Sequence, residues 1–197
     1  MARLTRRDWL MAGIAVLGEQ GAAALTVERL TAVLGVTKGS FYHHFGSMGD
    51  YKAGLLELFE AESTLNVMSL SEQLATPAEK LAWLLRAAGG HPPALERAFR
   101  AWAMDDADVG VVQARIDHQR IAYLRGLCAG LGIAPEQADT LAHMAYAILV
   151  GSQQLHPPLE REAVLGMYAL FQDWCLRLAA HGGGASTRSG DSTTERE

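Results

Sequence analysis

The sequence is short of most features that would carry it out of the class of compact helical proteins. Its 197 residues hold only two cysteines, Cys128 and Cys175, far apart and without C-x-x-C spacing. That excludes a disulfide framework and leaves reduced, buried thiols as the expectation. Prolines number six while apolar residues reach 49%, so most of the chain should fold. No run of roughly 18 apolar residues occurs, which excludes a membrane-spanning helix. The basic start lacks the apolar run of roughly 7–15 residues that a secretory signal needs, so a cytoplasmic location is expected. Alternation of period two persists nowhere, which excludes strands, and no internal repeat is evident. G-x-S-x-G, the P-loop and G-x-G-x-x-G in a strand–turn–helix context are all missing. His91, His118, His143, His156 and His181 show no i, i+4 pairing, and His43 and His44 point to different helix faces. No catalytic residue, metal ligand or cofactor is therefore assigned, and the chain is read as a non-enzyme.

The net charge of −5 argues against a protein that coats nucleic acid indiscriminately, but the charge is unevenly spread. Residues 1–46 carry five Lys/Arg against three Asp/Glu, and the remainder carries twelve against nineteen. A basic end on an acidic body confines any DNA contact to one surface.

The basic end contains the stretch around which the chain is organised, residues 26–45. Thr26 offers a cap to a first short helix, with Glu28 in its first turn where the dipole favours an anion. Val27, Leu30 and Leu34 fall on one face. Gly35 stops the helix, because glycine takes the left-handed C′ conformation without penalty. Thr37 can cap a second helix, whose Phe41 and Phe45 point inward, four residues apart. Lys38, Ser40, Tyr42, His43 and His44 bring donors or potential cations, and residues 37–45 hold no acid. Gly39 removes a side chain at the leading edge. Two helices joined by a short glycine turn form a helix-turn-helix, whose second helix reads bases mainly through its N-terminal residues.

From Thr5 to about Ser63 the sequence resembles the N-terminal DNA-binding domain of the tetracycline-repressor (TetR) family of bacterial transcriptional regulators. The resemblance rests on Trp9-Leu10, Ala12, Glu19, Gly21, Leu25-Thr26, Leu30, Gly35-Val36-Thr37, Gly39, Phe41-Tyr42, His44-Phe45 and Ser47. Where Met48 stands the family commonly has a lysine that helps to hold a phosphate; Lys52, one turn on, is the candidate to replace it. Beyond the first third of the chain only helical layout and length agree.

The fold expected is all-α with about nine helices. A helix-turn-helix DNA-binding domain (1–46) is followed by a connecting helix (47–68), a helical effector-binding and dimerisation domain (69–181) and a disordered tail (182–197). Thr5-Arg6-Arg7-Asp8 has the form of a capping box and starts the first helix. Arg3, Arg6 and Arg7 there are either phosphate contacts or a solvated basic turn. Ser47-Met48-Gly49-Asp50 is a second capping box, and Thr76 with Pro77 at N1 opens a later helix. Pro92-Pro93 and Pro135 open two more, with an acidic break at Asp105-Asp106-Ala107-Asp108. His156-Pro157-Pro158 forces a stop before a last helix from about Glu160 to His181.

DNA contacts are expected from Thr26, Thr37, Lys38, Gly39, Ser40, Tyr42, His43, His44 and Lys52. Lys38 and Ser40 suit base edges, Gly39 close approach, and Thr26, Thr37, Tyr42 and His43 phosphate; His44 is divided between phosphate and packing. Trp83, Phe99, Trp102, Met104, His118, Tyr123, Met144 and Tyr146 have the composition of an apolar pocket with a few polar groups, or of a core. Leu141, Ala145, Ile148 and Ser152 on one helix and Val164, Met167, Phe171 and Trp174 on the next either close a monomer core or form a dimer interface. DNA geometry favours a dimer, since symmetric pairs place two recognition helices about 34–36 Å apart, and the family dimerises through its last two long helices. The reading is a dimeric regulator of double-stranded operator DNA, a repressor released by an apolar or aromatic small molecule. The alternatives are an activator of the same fold, or a helical ligand-binding protein or enzyme that does not act on DNA.

Overall fold

The computed structural model describes residues 4–90 and 93–182. Arg3, His91, Pro92 and the segment expected to be a disordered tail beyond Gly182 lie outside the described residues. Among the described residues regular structure is entirely helical: α1 (Arg6–Gln20), α2 (Val27–Leu34), α3 (Lys38–His44), α4 (Met48–Glu60), α5 (Asn66–Glu72), α6 (Pro77–Gly90), α7 (Pro93–Asp105), α8 (Ala107–Gly130), α9 (Pro135–Gln154) and α10 (Arg161–Gly182). A 3-10 turn covers Ala22–Ala24. A π-helical stretch, Ala61–Leu65, carries α4 into α5 without a break, so these two form one rod and the all-α layout of nine rods holds.

Local chemistry accounts for the boundaries. Thr5 and Asp8 close a complete capping box, the Thr5 hydroxyl accepting the Asp8 N–H and the Asp8 carboxylate accepting the Thr5 N–H at 2.7 Å. Thr76 and Glu79 do the same ahead of α6, at 3.2 and 3.0 Å. Ser47 caps α4 through the Asp50 N–H at 3.0 Å, but its box is only half formed. The Asp50 carboxylate accepts instead from the Gly46 N–H and pairs with Arg6, each at a distance near 3 Å.

The chain divides into two compact units, one of residues up to 70 with 91–120 and one of 71–90 with the residues from 121 onward. In the first, α1 packs against α2, α4 and α7. Trp9, Val16, Leu30, Phe41, Phe45, Tyr51 and Leu55 form its buried centre, and Leu17, Phe59, Phe99, Val109 and Ile116 a second cluster. In the second unit α10 packs on α6 and α9 around Leu81, Leu85, Cys128, Leu141, Ala145, Tyr168, Phe171 and Cys175. Both cysteines are free and buried. Among the described residues no helix is long and apolar enough to cross a membrane.

Candidate nucleic-acid interface

The helix-turn-helix is built from α2 and α3. The Thr26 hydroxyl accepts the Arg29 N–H at 3.1 Å and opens α2. Gly35 ends it in the left-handed conformation, φ 66° and ψ 36°. The Val36 N–H returns to the Thr31 carbonyl at 3.1 Å, closing the turn. Thr37 takes the extended N-cap conformation ahead of α3, but its hydroxyl makes no capping hydrogen bond. The sequence motif led to that bond being expected; the Ser40 N–H instead reaches the Thr37 carbonyl at 3.0 Å.

Aromatic packing fixes α3. Phe41 and Phe45 are fully buried, 5.2 Å apart between ring centroids. Trp9 meets Phe41 edge-on at 5.4 Å, and Tyr51 meets Phe45 edge-on at 5.0 Å. The Tyr51 hydroxyl donates to the Trp9 carbonyl at 3.0 Å inside this cluster, and burial raises its pKa well above the ordinary tyrosine range. Arg6 lies over the Phe45 ring at 4.9 Å, an anchor between α1 and the end of α3 that spacing alone does not reveal.

With that face locked, α3 turns the expected set outward. Thr26, Thr37, Lys38, Gly39, Tyr42 and His43 are exposed, Tyr42 at 58%, while Ser40 and His44 are half-buried. His44 lies 5.2 Å from His43 and 6.3 Å from Trp9 between ring centroids. A Cβ built on Gly39 meets only the Thr37 hydroxyl, at 3.8 Å, so the fold itself has room for a side chain there.

Carboxylates already attend the cations of this surface. Lys38 is ion-paired with Glu28 of α2, and the bond to Lys38 holds the Glu28 carboxyl below its usual range. Glu28 was read from the sequence only as a helix-dipole partner. Arg6 pairs with Asp50 at 3.0 Å and Arg7 with Glu62 at 2.7 Å. Lys52, expected to stand in for the phosphate contact missing at Met48, is held by Asp106 at 2.6 Å and Asp108 at 2.9 Å. Burial works against its charge, but the bonds to both aspartates outweigh that and leave its pKa raised.

The eight residues with pocket composition are distributed over both units. In the first, Phe99 is core, stacked on Phe59 at 3.8 Å, and Trp102 packs beside it at 6.2 Å. Met104 is 88% exposed and His118 is exposed. In the second, Tyr146 is buried, Tyr123 and Trp83 are half-buried, and Met144 is exposed. The Tyr123 hydroxyl donates to Glu72 at 2.7 Å, and its pKa is pushed up to about 12, mainly by burial. A cleft of about 250 Å³ opens in the first unit between Leu25, Met48, Tyr51, Lys52, Leu55 and Trp102. Trp102 is the one expected pocket residue on its wall.

The expected dimer residues separate by face. Leu141, Ala145, Ser152, Val164 and Phe171 are buried within the second unit and Ile148 is half-buried. Met167 and Trp174 point out, and with them Leu170, which is 74% exposed. Both α9 and α10 carry two stripes, and the inward stripe took five of the eight positions. Among the described residues no group of three His, Cys, Asp or Glu is placed to hold a metal ion.

A capped helix, a left-handed glycine turn and a second helix anchored by aromatics, with an acid-free outer face, define a helix-turn-helix DNA-binding head on an all-helical chain. Residues 10–51 match the family described as bacterial regulatory proteins, tetR family. By that segment and by its fold the chain belongs to the TetR family of DNA-binding transcriptional regulators. No curated protein matches the chain. Among solved structures it is similar to the ketosteroid transcriptional regulator KstR2 of Mycobacterium tuberculosis, with 19% identity over 88% of this chain and 96% of that one, TM-score 0.65. A transcriptional regulator of the TetR/AcrR family is similar at 21% identity over 87% and 97%, TM-score 0.73. A fatty acid metabolism regulator of Clostridium perfringens is similar at 18% identity over 84% and 96%, TM-score 0.63.

Proposed function

We propose that the protein is a dimeric, sequence-specific repressor that a small apolar molecule releases from its operator. The observation that carries the DNA reading is the split of α3, with Phe41 and Phe45 sealed in the core and Lys38, Gly39, Tyr42 and His43 turned to solvent. Lys38 and Ser40 reach base edges, Gly39 lets the duplex approach the backbone, and Thr26, Thr37, Tyr42 and His43 take phosphates, with His44 bridging phosphate and core. Lys38 must leave Glu28 to do so.

Dimerisation uses the outward stripe of α10, Met167, Leu170 and Trp174, with Met144 of α9. Large apolar side chains at i, i+3 and i+7 standing in water are what a helix–helix interface covers. Release follows if the effector binds more tightly to a state whose two heads are wrongly spaced for the operator. Similarity to a ketosteroid regulator and a fatty acid metabolism regulator supports a lipophilic effector. The domain division read from the sequence, with effector binding and dimerisation beyond residue 68, is part of this proposal.

The test begins with duplexes selected from a random pool by the purified chain. Fluorescence anisotropy of a selected and a scrambled duplex at several salt concentrations should show preference, with log affinity falling by about 0.9 per phosphate for each decade of salt. Equal, salt-insensitive binding to both would sink the reading in favour of a helical ligand-binding protein. Steroids and long-chain acyl compounds are then screened for loss of anisotropy.

A further inference from the structure

Lys52 stands one turn into α4, four residues after Met48, at the end of the helix nearest the recognition helix in sequence. An ammonium group has three N–H donors. Here they meet three carboxylate oxygens: Asp106 Oδ1 at 2.6 Å, Asp106 Oδ2 at 2.7 Å and Asp108 Oδ2 at 2.9 Å. The lysine is 23% exposed, so the carboxylates take the place of solvent as well. Asp106 is not a casual partner. Its Oδ1 also accepts the N–H groups of Asp108 at 3.1 Å and Val109 at 3.3 Å, so it caps α8 and is fixed by that helix. Asp108 is 83% exposed at the same helix start.

We infer that Asp106 and Asp108 are specificity determinants of DNA binding: they withhold Lys52 from the phosphate backbone, so that recognition rests on α3. The inference depends on the DNA-binding reading above. Two carboxylates around one ammonium leave this corner with a net negative charge, which opposes a phosphate rather than attracting it. A lysine–phosphate contact adds affinity for every sequence alike, whereas base contacts add it for one. Removing such a contact weakens binding to all duplexes and raises the share of affinity that depends on sequence. The two carboxylates stand where phosphate oxygens would otherwise satisfy the lysine.

The experiment compares the full-length wild-type chain, Lys52→Gln, Asp106→Asn with Asp108→Asn, and the three changes together. Each is titrated by anisotropy with a selected and a scrambled duplex across a tenfold range of salt. Asparagine still caps α8, so the fold should persist; circular dichroism checks it. Should the double variant fail to fold, Asp108→Asn alone, at an exposed site, must move in the same direction. The double variant should bind both duplexes more tightly, with a salt slope steeper by about 0.9, so that its gain shrinks about eightfold per decade of salt. Its ratio of selected to scrambled affinity should fall. Lys52→Gln should keep the wild-type slope, and the triple variant should return to it. A double variant with the wild-type slope overturns the inference. So does a steeper slope that survives in the triple variant, because it then reflects general charge and not Lys52. A shallower slope for Lys52→Gln overturns it too, by showing that Lys52 already touches phosphate. All three leave the DNA reading intact; a wild-type chain without salt-steep preference defeats both.

Discussion

Gly13→Ala tests whether the aromatic cluster behind α3 is as tightly set as its geometry implies. A Cβ at Gly13 would stand 1.9 Å from the Tyr51 hydroxyl oxygen, 3.0 Å from its Cζ and 3.2 Å from Leu55 Cδ1. The first distance is within bonding range, so Tyr51 must move. It cannot move freely, because its ring lies 5.5 Å from Phe41 and 5.0 Å from Phe45 and its hydroxyl is bonded to the Trp9 carbonyl at 3.0 Å. Overpacking of this kind costs about 1–3 kcal/mol, and loss of the buried hydrogen bond about 1 kcal/mol more. Alanine returns about 1 kcal/mol of helix propensity. The net expectation is a loss of about 1–3 kcal/mol, against the gain that an open helical glycine would give. For a unit of this size that is a fall in Tm of at least roughly 4 °C. Thermal and urea unfolding of the full chain, followed by tryptophan fluorescence, read it directly. Adding Tyr51→Phe removes the oxygen at 1.9 Å, so the double variant should recover part of the loss, with a coupling energy of at least about 0.5 kcal/mol. A Gly13→Ala protein as stable as wild type, or strict additivity in the double variant, would refute the steric argument. DNA affinity should drop further than stability, because Tyr51 transmits its displacement to Phe41 and Phe45.

Gly39→Ala makes the opposite case: with open space at its Cβ the fold should gain up to about 1 kcal/mol, while affinity for the selected duplex falls at least several-fold if the duplex approaches there. Lys38→Ala should lower affinity and also relax the preference for selected over scrambled duplex, whereas Tyr42→Phe should weaken both alike; an unchanged ratio for Lys38→Ala would remove its base-reading role. Trp174→Glu with Leu170→Glu should yield a folded monomer by sedimentation that no longer binds the operator with wild-type affinity, and a persistent dimer would move the interface elsewhere. The Glu60 carboxyl is held below its ordinary value of 4.5, first by its bond to Arg115 and then with help from Gln119. A depressed pKa adds stability above the ordinary value that is lost as pH falls through the lower, folded one. Glu60→Gln should therefore cost about 1–3 kcal/mol at pH 7, and its stability should fall less than that of wild type between about pH 5 and pH 3. Parallel acid curves for the two proteins would contradict the assignment.

The legible parts of this molecule are those decided by neighbours in sequence. Thr5 with Asp8, Thr26, Gly35 and Thr76 with Pro77 each satisfy or end a helix within four residues, and each stands in the fold as read. Phe41 and Phe45 were legible because four residues of helix put them on one face. Legibility fails where a side chain can choose between partners. Asp50 was assigned to a capping box at Ser47, but its carboxylate finds the Gly46 N–H and Arg6 instead. Lys52 was assigned to phosphate, while its partners Asp106 and Asp108 are 54 and 56 residues away, beyond any local rule. The π-helical stretch Ala61–Leu65 has no marker in its sequence, yet beside it Arg120 bonds Thr64 at 3.0 Å and the Ser63 carbonyl at 3.0 Å. In α9 and α10 periodicity showed that stripes exist without saying which one faces the chain's own core, and so Leu141, Ala145, Ser152, Val164 and Phe171 were given to a partner.

The ion pairs of the head bear on how it can discriminate. Arg6, Arg7, Lys38 and Lys52 each have a carboxylate partner, from Asp50, Glu62, Glu28 and the two aspartates before α8. A phosphate that takes one of these cations must displace an anion already there, and then leaves that anion close to the duplex. Exposed pairs contribute little by themselves, so the exchange is feasible, but its net gain is smaller than for an unpaired lysine. A protein of net charge −5 that also guards its cations in this way gains little from the mere density of charge on DNA. What remains is contact that depends on fit: the α3 backbone at Gly39, the Ser40 and Tyr42 hydroxyls, and Lys38 once a base edge offers it more than Glu28 does. Such contacts are gained only where sequence and spacing are right, and a regulator needs that property more than it needs affinity.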